Sequence, residues 1–300
     1  MRVGFVGTGT MGQPMVGNLI KRGHAVIAYD VAPAALDAAE KLGARRAGSA
    51  AEAARGHEIV ITMLPSSPQV ETAYLEPGGV LEGCAISALC IDMSTIEPSV
   101  SRRVAAAAKS RGVRFLDAPV SGALPKAIEG TLTIMVGGEA KDVEDARPVL
   151  SALGTNIIHV GPVGSGEVAK ICNNLIAGVA MVAVSEAFRI AEGFGVDPAV
   201  LTDVISKSSG STWVMQHGHP VPGIVPTAPS NREYAAGFMT DLMAKDLGLA
   251  VSAARQLRVP VFVAPVAQQL MRLASSHGLG RQDFSAVYKF LEPSSHQAPV

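Results

Sequence analysis

The sequence predicts an α/β fold: a doubly wound, mostly parallel sheet covered by helices on both faces, followed by an all-α C-terminal domain joined through a long helix. Two observations carry this expectation. Over the first half of the chain, short apolar and β-branched runs alternate with helical segments, and those runs are too apolar to keep one face in water. Past the stretch Gly161 to Asn174 (GPVGSGEVAKICNN) the alternation stops and almost everything reads as helix.

Taken in order, Arg2 to Val6 (RVGFV) is a short buried strand, followed by the glycines of 7–12 and a helix that ends near Gly23. His24 to Tyr29 (HAVIAY) is the second strand, with Asp30 at its end, and Pro33 opens a helix in the first turn, where its missing N–H costs nothing. A brief strand near Ala44 and a helix from Ser49 precede a fourth strand, Glu58 to Met63 (EIVITM). Ala88 to Asp92, Arg114 to Asp117, Thr131 to Val136 and Asn156 to Val160 supply further strands, with helices at Glu97 to Ser110 and Asp142 to Leu153. Helices are then expected from Glu167 to Arg189, Pro198 to Ser206, Phe238 to Leu257, Val261 to His277 and Asp283 to Phe290. The Pro- and Gly-rich segment between Gln216 and Gly237 reads as a long loop of functional length. These signals place one domain at residues 1–163, a second at 164–292 and a flexible tail at 293–300.

Three hundred residues, 48% hydrophobic and 17% charged, suffice for two packed cores and exclude a disordered chain. A net charge of −1 offers no electrostatic reason for a nucleic-acid or anionic-membrane partner. The cysteines, Cys84, Cys90 and Cys172, form no CxxC pair and no metal set with the histidines, which suits a reducing compartment. The first strand begins at Arg2, which leaves no space for a targeting peptide, and the apolar run Ile171 to Val184 is too short to span a bilayer; a cytoplasmic protein is expected.

Gly7, Gly9 and Gly12 form GxGxxG between a strand and a helix, with Thr8 and Met11 in the same loop. The first glycine permits the turn, the second admits a pyrophosphate to the backbone, and the third lets helix and strand pack closely. The phosphates then meet the free N–H groups and positive dipole end of the helix. Asp30 follows Gly12 by 18 residues, at the end of the second strand, where a carboxylate accepts hydrogen bonds from an adenosine ribose and repels a 2′-phosphate. The cofactor read from this spacing is NAD. Two further loops, Met63-Leu64-Pro65 and Met93-Ser94-Thr95, fall at strand C-terminal ends, where ligands of open α/β sheets bind.

Hydride transfer to NAD needs a group that takes the hydroxyl proton. None of the seven histidines lies on a strand-end loop beside a carboxylate. Lys170 is the better candidate, because a desolvated lysine facing a cationic nicotinamide favours its neutral form. Asn174, four residues on, shares its helix face. Ser121 and Gly122, after the strand ending at Asp117, offer a hydroxyl and close N–H groups suited to a carboxylate. A solvated lysine and a plain turn are the bland alternatives at these two places.

Together the motifs resemble the β-hydroxyacid dehydrogenase family over nearly the whole chain, and most closely its members that oxidise 3-hydroxyisobutyrate in valine catabolism. The resemblance rests on FVGTGTMGQPMVGNL, ITMLP, IDMST, DAPVSG with GTLTIMVGG, GPVGSGEVAKICNN, the Trp213 region and LMAKDLGLA at Leu242 to Ala250. It implies a Rossmann domain and a helical domain with NAD held between them, Lys170 as general acid/base, and Asn174, Ser121 and Gly122 on the substrate. It further implies that Lys245 and Asp246 close over cofactor and substrate, and that Leu64, Pro65 and Thr95 touch the cofactor. No metal is implied. The partners are a small β-hydroxy acid and other copies of the chain, as a homodimer or homotetramer, for which the small-residue face Ala177, Gly178, Ala180 and Ala183 is suited. Where the family has Ser-Gly-Gly this chain has Ser121-Gly122-Ala123, with Pro125 where glycine is common; Gly218, flanked by His217 and His219, stands where relatives have tyrosine. Those departures leave a serine dehydrogenase or a tartronate-semialdehyde or glyoxylate-type reductase as alternatives, and a non-catalytic dinucleotide-binding module as the alternative of another class. The histidines at 217 and 219 read as solvent-exposed loop residues.

Overall fold

In the computed structural model, which describes residues 1–235 and 237–292, the strands of the first half form one sheet. They are β1 (Arg2–Val6), β2 (Ala25–Tyr29), β3 (Arg45–Arg46), β4 (Ile59–Thr62), β5 (Leu89–Asp92), β6 (Arg114–Asp117), β7 (Val120–Ser121), β8 (Leu132–Gly137) and β9 (Gly154–Gly161). The order is β3-β2-β1-β4-β5-β6, all parallel; β8 continues it antiparallel to β6 and β7, and β9 runs parallel to β8. The order reverses between β1 and β4, so the strand ends there open the crevice in which such sheets hold ligands.

The strands are apolar throughout because both faces are covered. Val3, Phe5, Ile59, Ile61, Leu89 and Ile91 pack with Met15, Val16 and Leu19 of the helix Gly12–Lys21 on one face. The intervening Val60 and Cys90 pack with Val70, Tyr74, Val100 and Val104 on the other. This is the two-residue alternation of a strand with two dry sides. Ser49 caps the helix Ala50–Ala54 by accepting from the Glu52 N–H at 3.1 Å. Not foreseen were the helix Ser67–Leu75, which buries only Val70 and Tyr74 and so shows no apolar stripe, and the helices Val80–Gly83, Ala123–Glu129 and Trp213–His217 and the two-residue β7, which are too short to show a period.

The two compact units meet at Lys170/Ile171, inside the helix Ser165–Gly193, which itself begins beside the expected boundary of 163/164. The second unit is helical: most of Ser165–Gly193, then Pro198–Ser206, Trp213–His217, Thr240–Leu257, Val263–Ala274 and Val287–Phe290 are its α-helices among the described residues. Its core gathers Met181, Phe188, Met215, Met243, Leu247 and Met271. The helix Ser165–Gly193 is 29 residues long, and by length and composition it is able to cross a membrane, unlike the short run expected. Its apolar positions Met181, Val182, Val184 and Phe188 are, however, spent on that core. The expected helix Val261 to His277 ends at Ala274 and passes into a wider turn, Ser275–Leu279, with Gly278 at φ +87°. The tail 293–300 lies outside the described residues.

Two expectations are corrected here. Gly178 does not lie on an outer face: a Cβ there would come within 2.8 Å of Met243 Sδ and 3.1 Å of Leu247 Cδ1, so the glycine admits the helix Thr240–Leu257 of its own unit. His219 is not solvent-exposed but wholly buried, edge-on to Phe188 at 4.7 Å. Burial is possible because its ring is hydrogen-bonded at both nitrogens. Val221 N–H donates to Nδ1 at 3.2 Å, which leaves Nε2 to donate to Thr202 Oγ1 at 3.1 Å, whose own proton goes to the Pro198 carbonyl. His217 is exposed as expected and stacks on Trp213.

Candidate active site

The glycine loop has the geometry its spacing requires. Gly7 sits at φ +95°, and a Cβ there would lie 2.3 Å from the Met63 carbonyl oxygen. At Gly12 a Cβ would lie 2.0 Å from the Gly7 carbonyl oxygen, so any side chain would push the helix off the strand. Around Gly9 nothing lies within 4 Å of a Cβ position, which is the open approach a pyrophosphate needs. The helix Gly12–Lys21 has no side-chain cap; the Gln13 N–H donates to the Gly9 carbonyl at 3.0 Å and Pro14 carries no N–H, so the helix offers this space its positive dipole end rather than a full turn of free donors. Thr8 and Met11 complete the loop.

Asp30 stands at the end of β2. Its Oδ2 accepts from the Thr8 N–H at 2.7 Å and its Oδ1 from the Ala32 N–H at 2.8 Å. The carboxylate is thereby locked beside the glycine loop with lone pairs left for a ribose. Arg46, on β3, is engaged by Asp37 and Glu40. Open space at Gly9, an uncapped helix and an oriented carboxylate fit NAD.

Leu64, Pro65 and Thr95 lie on the two loops that follow β4 and β5, and a buried network that sequence reasoning missed ties those loops together. The Leu64 N–H donates to Ser94 Oγ at 2.8 Å, and Ser94 Oγ–H donates to Asp92 Oδ1 at 2.6 Å. Thr62 Oγ–H donates to the same Oδ1 at 2.7 Å, with the Tyr74 hydroxyl 3.0 Å from Thr62 Oγ1. Asp92 is fully buried, and burial pushes its carboxyl up to about 6 against these hydrogen bonds. The available signal was Asp92 itself, an acid at the end of an otherwise apolar strand.

The turn that carries Lys170 is fixed by two buried carboxylates. Asp117, at the end of β6, accepts from the Gly164 N–H at 2.6 Å (Oδ1) and the Glu167 N–H at 3.0 Å (Oδ2), capping the helix start. Burial raises the Asp117 carboxyl, and these backbone bonds oppose the shift. Gly164 adopts φ +89°, and a Cβ on Gly166 would lie 2.3 Å from the Met135 carbonyl oxygen, so both glycines are obligatory. Glu167 Oε2 accepts from the Ile96 N–H at 3.1 Å, joining the same turn to the residue after Thr95. Lys170, one turn on, is 6% exposed. That excludes the bland reading of a solvated lysine.

Asn174 follows on the same helix and is also buried. Its Nδ2 donates to Asp246 Oδ2 at 2.5 Å, and Lys245 Nζ lies 3.2 Å from Asp246 Oδ1. The sequence-identified Asn174, Lys245 and Asp246 therefore form one polar cluster. Ser121 ends β7. Gly122 follows at φ +133° and Ala123 at φ +53°, so the alanine that stands in place of glycine holds a left-handed backbone that glycine adopts more readily. Pro125 falls in the first turn of the helix Ala123–Glu129, where no N–H is required of it. Gly218 caps the helix Trp213–His217 with an ordinary φ of −121°, and a Cβ there would make only normal contacts, the nearest the Val214 carbonyl oxygen and Met181 Cε. Neither the backbone nor packing demands glycine at this position. Among the described residues no group of three or more His, Cys, Asp and Glu is placed to hold a metal.

Comparison with known proteins gives the family. The NAD-binding domain of 6-phosphogluconate dehydrogenase, as a family, matches residues 2–161, and the NAD-binding domain of NADP-dependent 3-hydroxyisobutyrate dehydrogenase matches residues 164–291. The chain is 42% identical over 296 residues to the NAD-dependent L-serine dehydrogenase of Pseudomonas aeruginosa, covering 99% of both chains. It is 43% identical over 292 residues to a 3-hydroxyisobutyrate dehydrogenase of the same organism, covering 96% of this chain and 97% of that one. The structure of Mycobacterium tuberculosis 3-hydroxyisobutyrate dehydrogenase with L-serine superposes with a TM-score of 0.92 at 40% identity, covering 97% of this chain and 99% of that one. The chain belongs to the β-hydroxyacid dehydrogenase family, close to the 3-hydroxyisobutyrate dehydrogenases, and is an NAD-dependent oxidoreductase acting on a CH–OH group.

Proposed function

We propose that the enzyme oxidises a three-carbon β-hydroxy acid with a small substituent at C2, foremost 3-hydroxyisobutyrate to methylmalonate semialdehyde, with Lys170 as the general acid/base. The observation that carries this reading is the burial of Lys170 on a turn fixed by Asp117 and Glu167. A lysine so placed is held in one position and out of bulk water, as proton transfer to or from a hydroxyl requires. The glycine loop would hold the pyrophosphate of NAD and Asp30 its ribose, and the nicotinamide would supply the hydride acceptor. Lys170 Nζ takes the hydroxyl proton in oxidation and returns it in reduction. Ser121 and the backbone at Gly122 hold the carboxylate, and Asn174, aimed by Asp246, holds the hydroxyl end. Leu64, Pro65, Thr95 and Lys245 complete the cofactor contacts.

L-serine is the second reading. It is favoured by the 42%-identical L-serine dehydrogenase and by L-serine in the M. tuberculosis structure. Tartronate semialdehyde and glyoxylate belong on the same panel. Initial rates with 3-hydroxyisobutyrate, L-serine, 3-hydroxypropionate and the two reductase substrates, each with NAD and NADP, decide among them. The reading holds if kcat/KM is highest for 3-hydroxyisobutyrate with NAD; L-serine ahead by tenfold would replace it.

We further propose a homodimer or homotetramer. The basis is the exposed apolar surface of the helical unit, with Phe194 83% and Phe262 81% exposed and Ile190, Val200 and Val266 also exposed. Sedimentation at micromolar concentration tests it, and a monomer there would refute it.

A further inference from the structure

Cys84 and Cys90 stand 3.5 Å apart, sulfur to sulfur, on the sheet face opposite the glycine-loop helix. Their surroundings differ. Cys90 lies in the middle of β5 with no exposure, whereas Cys84 is half-buried at the end of the helix Val80–Gly83. The Arg111 guanidinium is anchored nearby, its Nη1 donating to the Leu81 carbonyl at 3.0 Å. The hydrogen bond from Cys90, together with the Arg111 charge, draws the Cys84 thiol below its ordinary value, while the same bond and burial push Cys90 up. A half-exposed thiol beside a cation, backed by a second thiol in contact, is the arrangement of a redox-active pair.

We propose that Cys84 and Cys90 form a peroxide-reactive dithiol site in which Cys84 attacks and Cys90 resolves, so that oxidation stops at an intramolecular disulfide. The Cys84 thiolate attacks one oxygen of a hydroperoxide, the O–O bond breaks and the other oxygen leaves as hydroxide or alkoxide. Cys84 is then a sulfenic acid. Cys90 sulfur attacks it, the S–S bond forms, the S–O bond breaks, and the oxygen leaves as water with the Cys90 proton. Two thiols are oxidised and one peroxide reduced, by two electrons. The sulfurs must close by about 1.5 Å to reach disulfide bonding distance. β5 is held by ladders on both sides, so the movement falls to Cys84 and the surface turn after it, where Ser87 sits at φ +67°. Cofactor binding is therefore retained in the oxidised form.

The test is stepwise hydrogen peroxide treatment of the full-length enzyme, followed by thiol alkylation and peptide mass mapping. The expected product is a Cys84–Cys90 disulfide reversed by dithiothreitol, with NAD affinity unchanged. In Cys90→Ser, and in Cys90→Ala as the variant that keeps the site apolar, Cys84 passes to sulfinic and sulfonic acid that dithiothreitol does not restore, with at least about tenfold more of these products at equal dose. Equal over-oxidation in wild type and both variants, thiol loss explained by Cys172 cross-links between chains, or loss of NAD binding on disulfide formation would each overturn the proposal.

Discussion

Acidification should unfasten the helical unit through one residue, His219. Its ring is buried as the neutral tautomer, with Nδ1 accepting from Val221 N–H and Nε2 donating towards Thr202. Its carbonyl also accepts from Ser230 Oγ at 2.7 Å, so the ring and its peptide hold the loop that follows Trp213. A proton on Nδ1 would point at the Val221 N–H. Burial accordingly lowers the folded pKa to about 4 from 6.5. Because the shift is downward, the unfolded chain takes the proton first: stability is complete above pH 6.5 and is lost as the pH falls towards 4. At pH 5 the loss attributable to this ring is about 2 kcal/mol, from a shift of that size and 1.36 kcal/mol per pH unit. Trp213 lies in the same unit and is the only tryptophan in the chain, so its fluorescence follows urea unfolding of that unit. Between pH 7.5 and pH 5 the wild-type midpoint should fall by about 1 M more than that of His219→Gln, taking a slope of about 2 kcal/mol/M. Midpoints rather than intensities are compared, because His217, stacked on Trp213, alters the emission as it titrates. Equal midpoint shifts in the two proteins would refute the reasoning.

Three further outcomes are expected. Lys170→Ala should lower kcat by about 10²–10⁴-fold, the range of general acid–base catalysis, with NAD affinity within twofold by fluorescence titration; near-normal turnover would remove Lys170 from its role. Asp30→Ala removes the acceptor of the Thr8 and Ala32 N–H groups as well as the ribose contact, and should raise KM for NAD by about 10–100-fold while narrowing its advantage over NADP; an unchanged NAD/NADP ratio would count against the assignment. Ala123→Gly relieves a left-handed residue at a cost in chain entropy, for a net gain of about 0.5–1 kcal/mol seen as a rise in melting temperature by calorimetry; a lower melting temperature would show that the alanine methyl packs productively.

What was legible in the sequence was local in the chain. The glycine loop, its strand and helix, and Asp30 lie within the first 30 residues, and each has a steric or electrostatic duty that short-range spacing reveals. Lys170 and Asn174 were legible because four residues is one helical step. The Asp92–Ser94–Leu64 network was not, since it forms only when β4 and β5 lie side by side and bring together residues 30 apart. His219 failed for the same reason: the partners that let it be buried, Phe188 and Thr202, lie 31 and 17 positions away. The small-residue face of the long helix was recognised, but the residue type alone does not say what meets each position: Gly178 faces Met243 and Leu247, whereas Ala183 is exposed.

The cap supplied by Asp117 has a consequence for the order in which the chain folds. A helix must fix its first turn before hydrogen bonding compensates the entropy lost, and here the N–H groups of Gly164, just before the helix, and of Glu167, in its first turn, find their acceptor on a residue 47 and 50 positions earlier. That acceptor is in place only once β6 has joined the sheet. The turn bearing Lys170 is then expected to order after the parallel sheet, so that a half-folded chain with a formed nucleotide loop still lacks its proton-transfer group. In pulse-labelled refolding the Gly164 and Glu167 amides should gain protection no earlier than those of β6, and earlier protection would reverse the order.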